Sequence, residues 1–330
     1  MNDAGASQLV DGMDAVSTIL SHGYRSWKNS ERNPDHAGTR LVTGKIIEID
    51  HAPKFQLSRS DTVFTIGSCF ARNVEEKLVL NGVRVVTADF GLTPDRYQFK
   101  TRSNSALNKY STSSIFSHLE ELFTQQRAPQ DSMIELDDGT WFDPHASLTK
   151  PADLATVLDT RALIDATMNK ARESNYVFIT LGLTESWIDK QTGLVLNIAP
   201  SIRMIKKYPG RFAWFNNTFV QCLDHMEQTL RLIWKYCRED MRIVVTVSPV
   251  PLQTTFAGRD VIVANTYSKS VLRAVADTLF QKYDLVDYFP SFEMVMNSPR
   301  DITWDEDQIH VKDSAVAEVI GKFIKTYLRE

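Results

Sequence analysis

Three runs in this chain are apolar along their length instead of alternating with polar residues. They are Val63-Phe64-Thr65-Ile66, Tyr176-Val177-Phe178-Ile179-Thr180-Leu181 and Ile243-Val244-Val245-Thr246-Val247. Strands buried on both faces read this way, and they belong to parallel sheets covered by helices. The first run stops at Gly67-Ser68, and a helical pattern starts at once behind it, with Phe70, Val74 and Leu78 at i, i+4 and i+8. Strand-helix alternation continues to the end of the chain. It predicts strands at 61–66, 83–88, 176–181, 243–247 and 284–288 and helices at 70–82, 113–125, 151–173, 216–238 and 262–282, with a last helix from Ser314. The fold class that follows is α/β, doubly wound, with a mostly parallel central sheet. The helix at 216–238 places Phe219, Leu223, Met226, Leu230, Ile233 and Cys237 on one stripe. Residues 1–55 are polar and broken and read as an N-terminal arm with one short helix and one strand, Leu41–Ile49; residues 56–330 form the main domain. The segment 182–215 reads as loop-rich, and an acidic turn falls at Asp137-Asp138-Gly139.

The chain's 43% hydrophobic and 24% charged residues suit a soluble globular protein. A net charge of −4 gives no general pull toward nucleic acid or an anionic membrane. No apolar run approaches the length of a membrane span, and Met1–Ser7 lacks the basic and apolar regions of a secretory signal. Three cysteines, Cys69, Cys222 and Cys237, form no C-x-x-C pair, which argues against a disulfide framework or zinc site; a cytoplasmic protein is the simplest expectation. P-loop, G-x-G-x-x-G, H-E-x-x-H and G-x-S-x-G patterns are missing, so no cofactor is expected.

In parallel sheets the ligand site lies beyond the carboxyl ends of the strands. Three strand ends carry suitable residues: Gly67-Ser68, Gly182-Leu183-Thr184-Glu185 and Ser248-Pro249. Ser68 reads either as a nucleophile with its N–H exposed at the helix start, beside donors for an oxyanion, or as a helix N-cap. Asp307 and His310 stand three apart, so the carboxylate can hold one ring nitrogen and leave the other free as a base. Asp313 reads as the cap of the last helix. Asp305, Asp307 and His310 also admit a metal reading. Gly182 lets backbone approach a ligand closely, Thr184 or Glu185 offers a polar group, and the Asn108 amide is an oxyanion donor or a turn residue. His145 with Asp143 is a rival base pair. The other histidines, His22, His36, His51, His118 and His225, have no supporting constellation.

Gly67-Ser68-Cys69-Phe70-Ala71 matches the motif that names the GSCFA-domain family, bacterial proteins that look like members of the SGNH/GDSL hydrolase superfamily. Further blocks resemble that family: Leu107–Ser111, Trp141–Pro144, Phe178–Trp187, Thr246–Leu252, Tyr267–Arg273 and Tyr288–Glu293, so that the resemblance spans roughly residues 24–327. It implies a three-layer α/β/α sandwich, Ser68 as nucleophile, and Asp307 and His310 as the rest of a Ser-His-Asp triad. It also implies an oxyanion hole made of the serine N–H, a loop glycine and a loop asparagine. The chain departs from that pattern twice, with Leu107-Asn108 where the glycine is expected and Thr184 where the asparagine is expected. The substitute donors are a backbone N–H near Leu107, the Asn108 amide and the Thr184 hydroxyl; loss of one donor costs about 2.7–4 kcal/mol of barrier. The resemblance therefore predicts a serine ester hydrolase or O-acyltransferase. Its substrate is a small-molecule or saccharide ester, acetyl being one candidate acyl group, and Trp141, Trp187 and Trp214 are candidate sugar platforms. The alternatives are a binding protein that keeps the fold without a working oxyanion hole, and a metal-dependent hydrolase built on residues 305–310.

Overall fold

The computed structural model describes residues 9–21, 23–29, 32–98, 102–126, 128–136 and 138–329. Met1–Ser7, His22 and Asp137, considered above, lie outside the described residues.

Among the described residues before 56 there are two α-helices, α1 (Gly12–Leu20), capped by Asp11, and α2 (Ala37–Leu41). The strand expected at Leu41–Ile49 does not form. Ile46 and Ile47 are buried, but the Ile47 N–H donates to the Ser298 hydroxyl at 2.8 Å. The apolar signal there marks a segment docked on the domain, not a ladder.

The central fold opens with β1 (Thr62–Gly67), α3 (Cys69–Leu80) and β2 (Arg84–Val85), the last shorter than the expected 83–88. Next come α4 (Thr112–Thr124), opened by a reciprocal Ser111–Ser114 capping box, and a small hairpin of β3 (Ile134–Glu135) and β4 (Trp141–Phe142). Asp153 caps α5 (Leu154–Asn169), and β5 (Tyr176–Leu181) follows. The stretch expected to be loop-rich carries β6 (Glu185–Asp189), β7 (Leu194–Leu196), α6 (Ile202–Lys207) and β8 (Phe212–Asn216). These three strands form an antiparallel sheet, with Trp187 opposite Trp214 and Trp187 opposite Leu196. β6 carries Glu185, Ser186 and Asp189, β7 is only three residues long and β8 is half-buried throughout, so the long apolar signature is missing. The remaining elements are α7 (Phe219–Tyr236), β9 (Arg242–Val247), α8 (Val261–Lys282), β10 (Val286–Tyr288), α9 (Ser291–Met296), α10 (Arg300–Thr303) and α11 (Asp313–Tyr327). Asp313 is not the cap of α11. Lys312 holds that position without a side-chain bond, and Asp313 is the first helical residue, where its charge faces the positive end of the dipole.

The central sheet has the order β2-β1-β5-β9-β10, and every pairing is parallel. Successive side chains of β1 enter different layers. Phe64 and Ile66 join Ile179, Val245 and the buried stripes of α4, α7 and α8 on one face. Val63 joins Phe178, Val244, Phe70 of α3 and Phe323 of α11 on the other. The result is a three-layer α/β/α sandwich. The expected α7 stripe faces inward, with Met226, Leu230 and Ile233 buried and Phe219, Leu223 and Cys237 partly so. The strand order reverses direction between β1 and β5, which makes their carboxyl ends the place where a doubly wound sheet opens to a ligand.

Candidate active site

β1 ends at Gly67, whose φ of 133° favours glycine. A Cβ there would lie 2.2 Å from the Thr180 carbonyl oxygen of β5. This tight contact brings Ser68 to the head of the sheet. Ser68 caps α3, its Oγ accepting from the Phe70 N–H at 3.3 Å, and the same oxygen lies 3.2 Å from Thr180 Oγ1. The Ser68 N–H does not point out at the helix start as the sequence suggested; it donates to Thr180 O at 3.2 Å, continuing the β1–β5 ladder. Among the described residues, the next amide, Cys69 N–H, and the Gly182 N–H at the end of β5 donate to no backbone acceptor. Gly182 is pressed in place: an added Cβ would meet Tyr110 O at 2.5 Å and Ser68 Cβ at 3.3 Å.

A buried charge network underlies the turn. Glu75 Oε2 accepts from Thr65 Oγ1 at 2.7 Å, Thr87 Oγ1 at 2.6 Å and Arg72 Nη1 at 2.6 Å, while Asn104 Nδ2 reaches Glu75 Oε1 at 3.0 Å. The network ties α3 to β1 and to the residues after β2. Nothing in the sequence distinguished Glu75 from a solvent-facing helix residue.

Ser68 and His310 line one cavity of about 710 Å³. Asn108, Gly182, Glu185 and Ser248 line it too, with Asn197, Trp187, Leu252 and Phe256 among their neighbours. All three strand ends singled out in the sequence thus meet there. His310 belongs to a tight turn between α10 and α11, closed by Asp305 N–H to His310 O at 2.9 Å. Asp307 Oδ2 is 2.6 Å from His310 Nδ1, and Asp307 Oδ1 accepts the backbone N–H of His310 and of Ile309, each at 2.9 Å. The His310 N–H and ring, with the Ile309 N–H, hold the Asp307 carboxyl down to about 2. The dyad sits in the open, the His310 side chain 64% and Asp307 46% exposed, and Ser68 Oγ bonds to Thr180 and the Phe70 amide rather than to His310.

Asn108 is paired to Gly67 by a β-bridge, and the adjacent Lys109 N–H donates to Gly67 O at 2.7 Å. Asn197, which the sequence reading missed, holds this loop by donating from Nδ2 to Asn108 O at 2.7 Å and accepting the Tyr110 N–H at 3.2 Å. Asn108 Oδ1 and Ser248 Oγ are buried without a partner. The backbone donors expected near Leu107 are spent inside a 3-10 turn, Leu107 N–H to Asn104 O and Asn108 N–H to Ser105 O. Thr184 is fully buried and does not line the cavity, and its N–H is taken by Ser268 Oγ at 3.0 Å. Both Glu185 oxygens are engaged, one with Thr255 Oγ1 and the other with Phe256 N–H at 3.0 Å and Trp214 Nε1 at 3.2 Å. Glu185 therefore pins the 250–256 wall of the cavity.

The rival pair does not assemble. Asp143 is held by a two-pronged bond from Arg161, and the His145 ring lies 2.9 Å from Glu121, buried away from the cavity. Of the three tryptophans, only Trp187 lines the cavity, edge-to-face with Phe256 at 5.0 Å. Among the described residues, no three His, Cys, Asp or Glu side chains come together as a metal site, the 305–310 cluster included.

The model of the GSCFA family matches residues 62–323. This chain belongs to the GSCFA family. The match runs from the first residue of β1 into α11, so it contains the whole central sheet, the Ser68 turn and the Asp307–His310 turn. A search of curated proteins returns no match. Within this GSCFA chain, the five residues that name the family form the β1–α3 junction, and Gly67 and Ser68 both contact Thr180 there. Among the described residues no helix is long and apolar enough to cross a membrane.

Proposed function

We propose that this GSCFA protein is a serine-dependent ester hydrolase or O-acyltransferase, with Ser68 as nucleophile, His310 as base and Asp307 orienting His310. The observation that carries the reading is that the N-cap serine of the switch-point helix and an Asp-bound histidine from the far end of the chain face one cavity. Asp307 on Nδ1 leaves His310 Nε2 as the available base. A turn of the Ser68 side chain away from Thr180, together with approach of the exposed 305–310 turn, completes the contact; such bonds tighten when substrate binds. Ser68 Oγ then attacks the ester carbonyl carbon while His310 takes its proton. The tetrahedral oxyanion is held by the free Cys69 and Gly182 amides and by Asn108, in place of the committed Ser68 N–H. Collapse expels the alcohol with the proton from His310, and acyl-Ser68 is released by water or by a second alcohol.

The mixed lining suits an acylated alcohol of saccharide type. Trp187 and Phe256 supply aromatic surface, and Asn108 Oδ1, Ser248 Oγ and Trp187 Nε1 are buried polar atoms without partners. The segment 1–55 is proposed to lie outside the catalytic unit 56–330, against which Ile46, Ile47 and Lys54 dock. The test is fluorophosphonate labelling and hydrolysis of a p-nitrophenyl acyl series. Wild type is expected to label once, at Ser68, and Ser68→Ala to lose at least about a thousandfold in kcat/KM. The second reading, a binding protein on the same fold, is favoured by the Ser68–Thr180 bond. Wild type that neither labels nor turns over, yet binds an acylated saccharide, would decide for it.

A further inference from the structure

The structure contains a buried cation that the proposed chemistry does not use. Lys269 lies in the middle of α8, is 4% exposed, and its ammonium donates to two main-chain carbonyls, Gly182 O and Val250 O, both at 2.7 Å. These carbonyls follow β5, which pairs with β1, and β9, which pairs with the other edge of β5. Among the described residues no carboxylate forms an ion pair with it. Its neighbour Ser268 accepts the Thr184 N–H at 3.0 Å, so two consecutive residues of one helix turn grip the 182–184 segment from outside the cavity.

A buried ammonium bonded only to neutral acceptors is costly, and packing alone would be served by methionine or leucine. What the lysine adds is a donor nitrogen that reaches two strand ends at once, with charge assistance while it holds its third proton. Gly182 is then held on three sides: its carbonyl by Lys269, its Cα face by Tyr110 O and Ser68, and the following Leu183 N–H by Tyr110 O at 2.8 Å. With the carbonyl side fixed, the Gly182 N–H stays beside Ser68.

We infer that Lys269 is a positioning residue that clamps the ends of β5 and β9 and so fixes the Gly182 amide beside Ser68. Burial, the dominant effect, lowers its pKa to about 7, and the Cys69 thiol is the titratable group that faces it. The clamp itself is a statement about the two loops; its consequence for reactivity rests on the Ser68 reading above.

The experiment separates the two. Amide hydrogen exchange by mass spectrometry and the fluorophosphonate labelling rate are measured on wild type, Lys269→Met, Lys269→Gln and Lys269→Arg. Lys269→Met is expected to speed exchange at least tenfold in peptides covering 182–184 and 250–252 while β1 and α3 keep their protection. Labelling of Ser68 is expected to slow about tenfold with it. Lys269→Arg is expected to restore most of both, and Lys269→Gln, with an uncharged and shorter donor group, to fall between. Should Lys269→Met fail to fold, the Gln and Arg pair carries the comparison. Unchanged exchange in both segments overturns the clamp. Faster exchange in an enzyme whose wild type is never labelled keeps the clamp and overturns the serine reading. Faster exchange with an unchanged labelling rate overturns the link to the Gly182 amide.

Discussion

Gly182 leaves no room for a side chain. A methyl there would meet the Tyr110 carbonyl at 2.5 Å and the Ser68 Cβ at 3.3 Å, and neither neighbour is a flexible chain end. Gly182→Ala is therefore expected to lower stability by about 1–3 kcal/mol through overpacking and to slow Ser68 labelling by more than tenfold as the amide shifts. Urea unfolding and labelling kinetics on the same preparation check both parts; an unchanged unfolding midpoint would show that the strand end yields freely. The sequence marked Gly182, at the end of an apolar run, as a place where backbone nears a ligand; what presses on it here is the Tyr110 carbonyl and Ser68. The fate of Thr184 was not. Two residues further on, its side chain turns into the protein and its N–H goes to Ser268, a partner eighty-four residues away.

At the scale of elements, the β1–α3 junction depends on a buried ion pair. Arg72 and Glu75 are both about 2% exposed at the side chain, and Glu75 also takes Thr65, Thr87 and Asn104. Removing one partner strands the other charge in the core. Glu75→Ala is expected to cost about 3–5 kcal/mol, while Lys77→Ala, at a half-buried position in the last turn of the same helix, should stay within about 0.5 kcal/mol. Chemical denaturation of the two variants side by side tests the contrast. The loop 250–256 offers a second element-scale test. Its outer end hangs on Glu185 through Thr255 and the Phe256 N–H, and its start hangs on Lys269. Glu185→Gln keeps the shape but turns one acceptor into a donor facing a donor. KM for bulky aryl esters is expected to rise several-fold with kcat nearly unchanged, since the wall and not the serine is disturbed. A matching loss in kcat would place Glu185 nearer the chemistry than this.

For the whole molecule, two buried lysines set an alkaline signature. Burial pushes both Lys109 and Lys269 down to about 7, with Arg161 adding to the shift at Lys109. In the unfolded chain lysine keeps its proton to about 10.4. Between pH 7 and about 8.5 the unfolded state thus holds two protons that the folded state has released, so stability rises with pH in that window. Above it Cys222 and Cys237, raised in the folded protein, ionise first in the unfolded chain and offset the gain. Urea midpoints at pH 7 and pH 8.5 are expected to show the gain, and Lys109→Met or Lys269→Met each to remove about half of the slope. A midpoint that falls across this interval in wild type would contradict it.

The sequence by itself determined the layers and the direction of the sheet. Runs that do not alternate with charged or strongly polar residues must be covered on both faces, and short helical patterns behind them force parallel crossovers; neither inference needs a partner residue to be known. It also marked Ser68, Gly182 and Ser248, because strand ends in such sheets face ligand, and it paired Asp307 with His310, because their contact is local. The tertiary structure alone decided which donors remain free around Ser68. The Ser68 N–H goes to Thr180, the Leu107 and Asn108 amides close a turn, and Thr184 goes to Ser268, leaving Cys69 and Gly182. Those choices depend on hydrogen bonds between segments far apart in the chain, which local pattern does not encode. The three-stranded sheet within 182–215 and the clamp at Lys269 were hidden for the same reason: one needed its cross-strand partners to be seen, the other its two carbonyls.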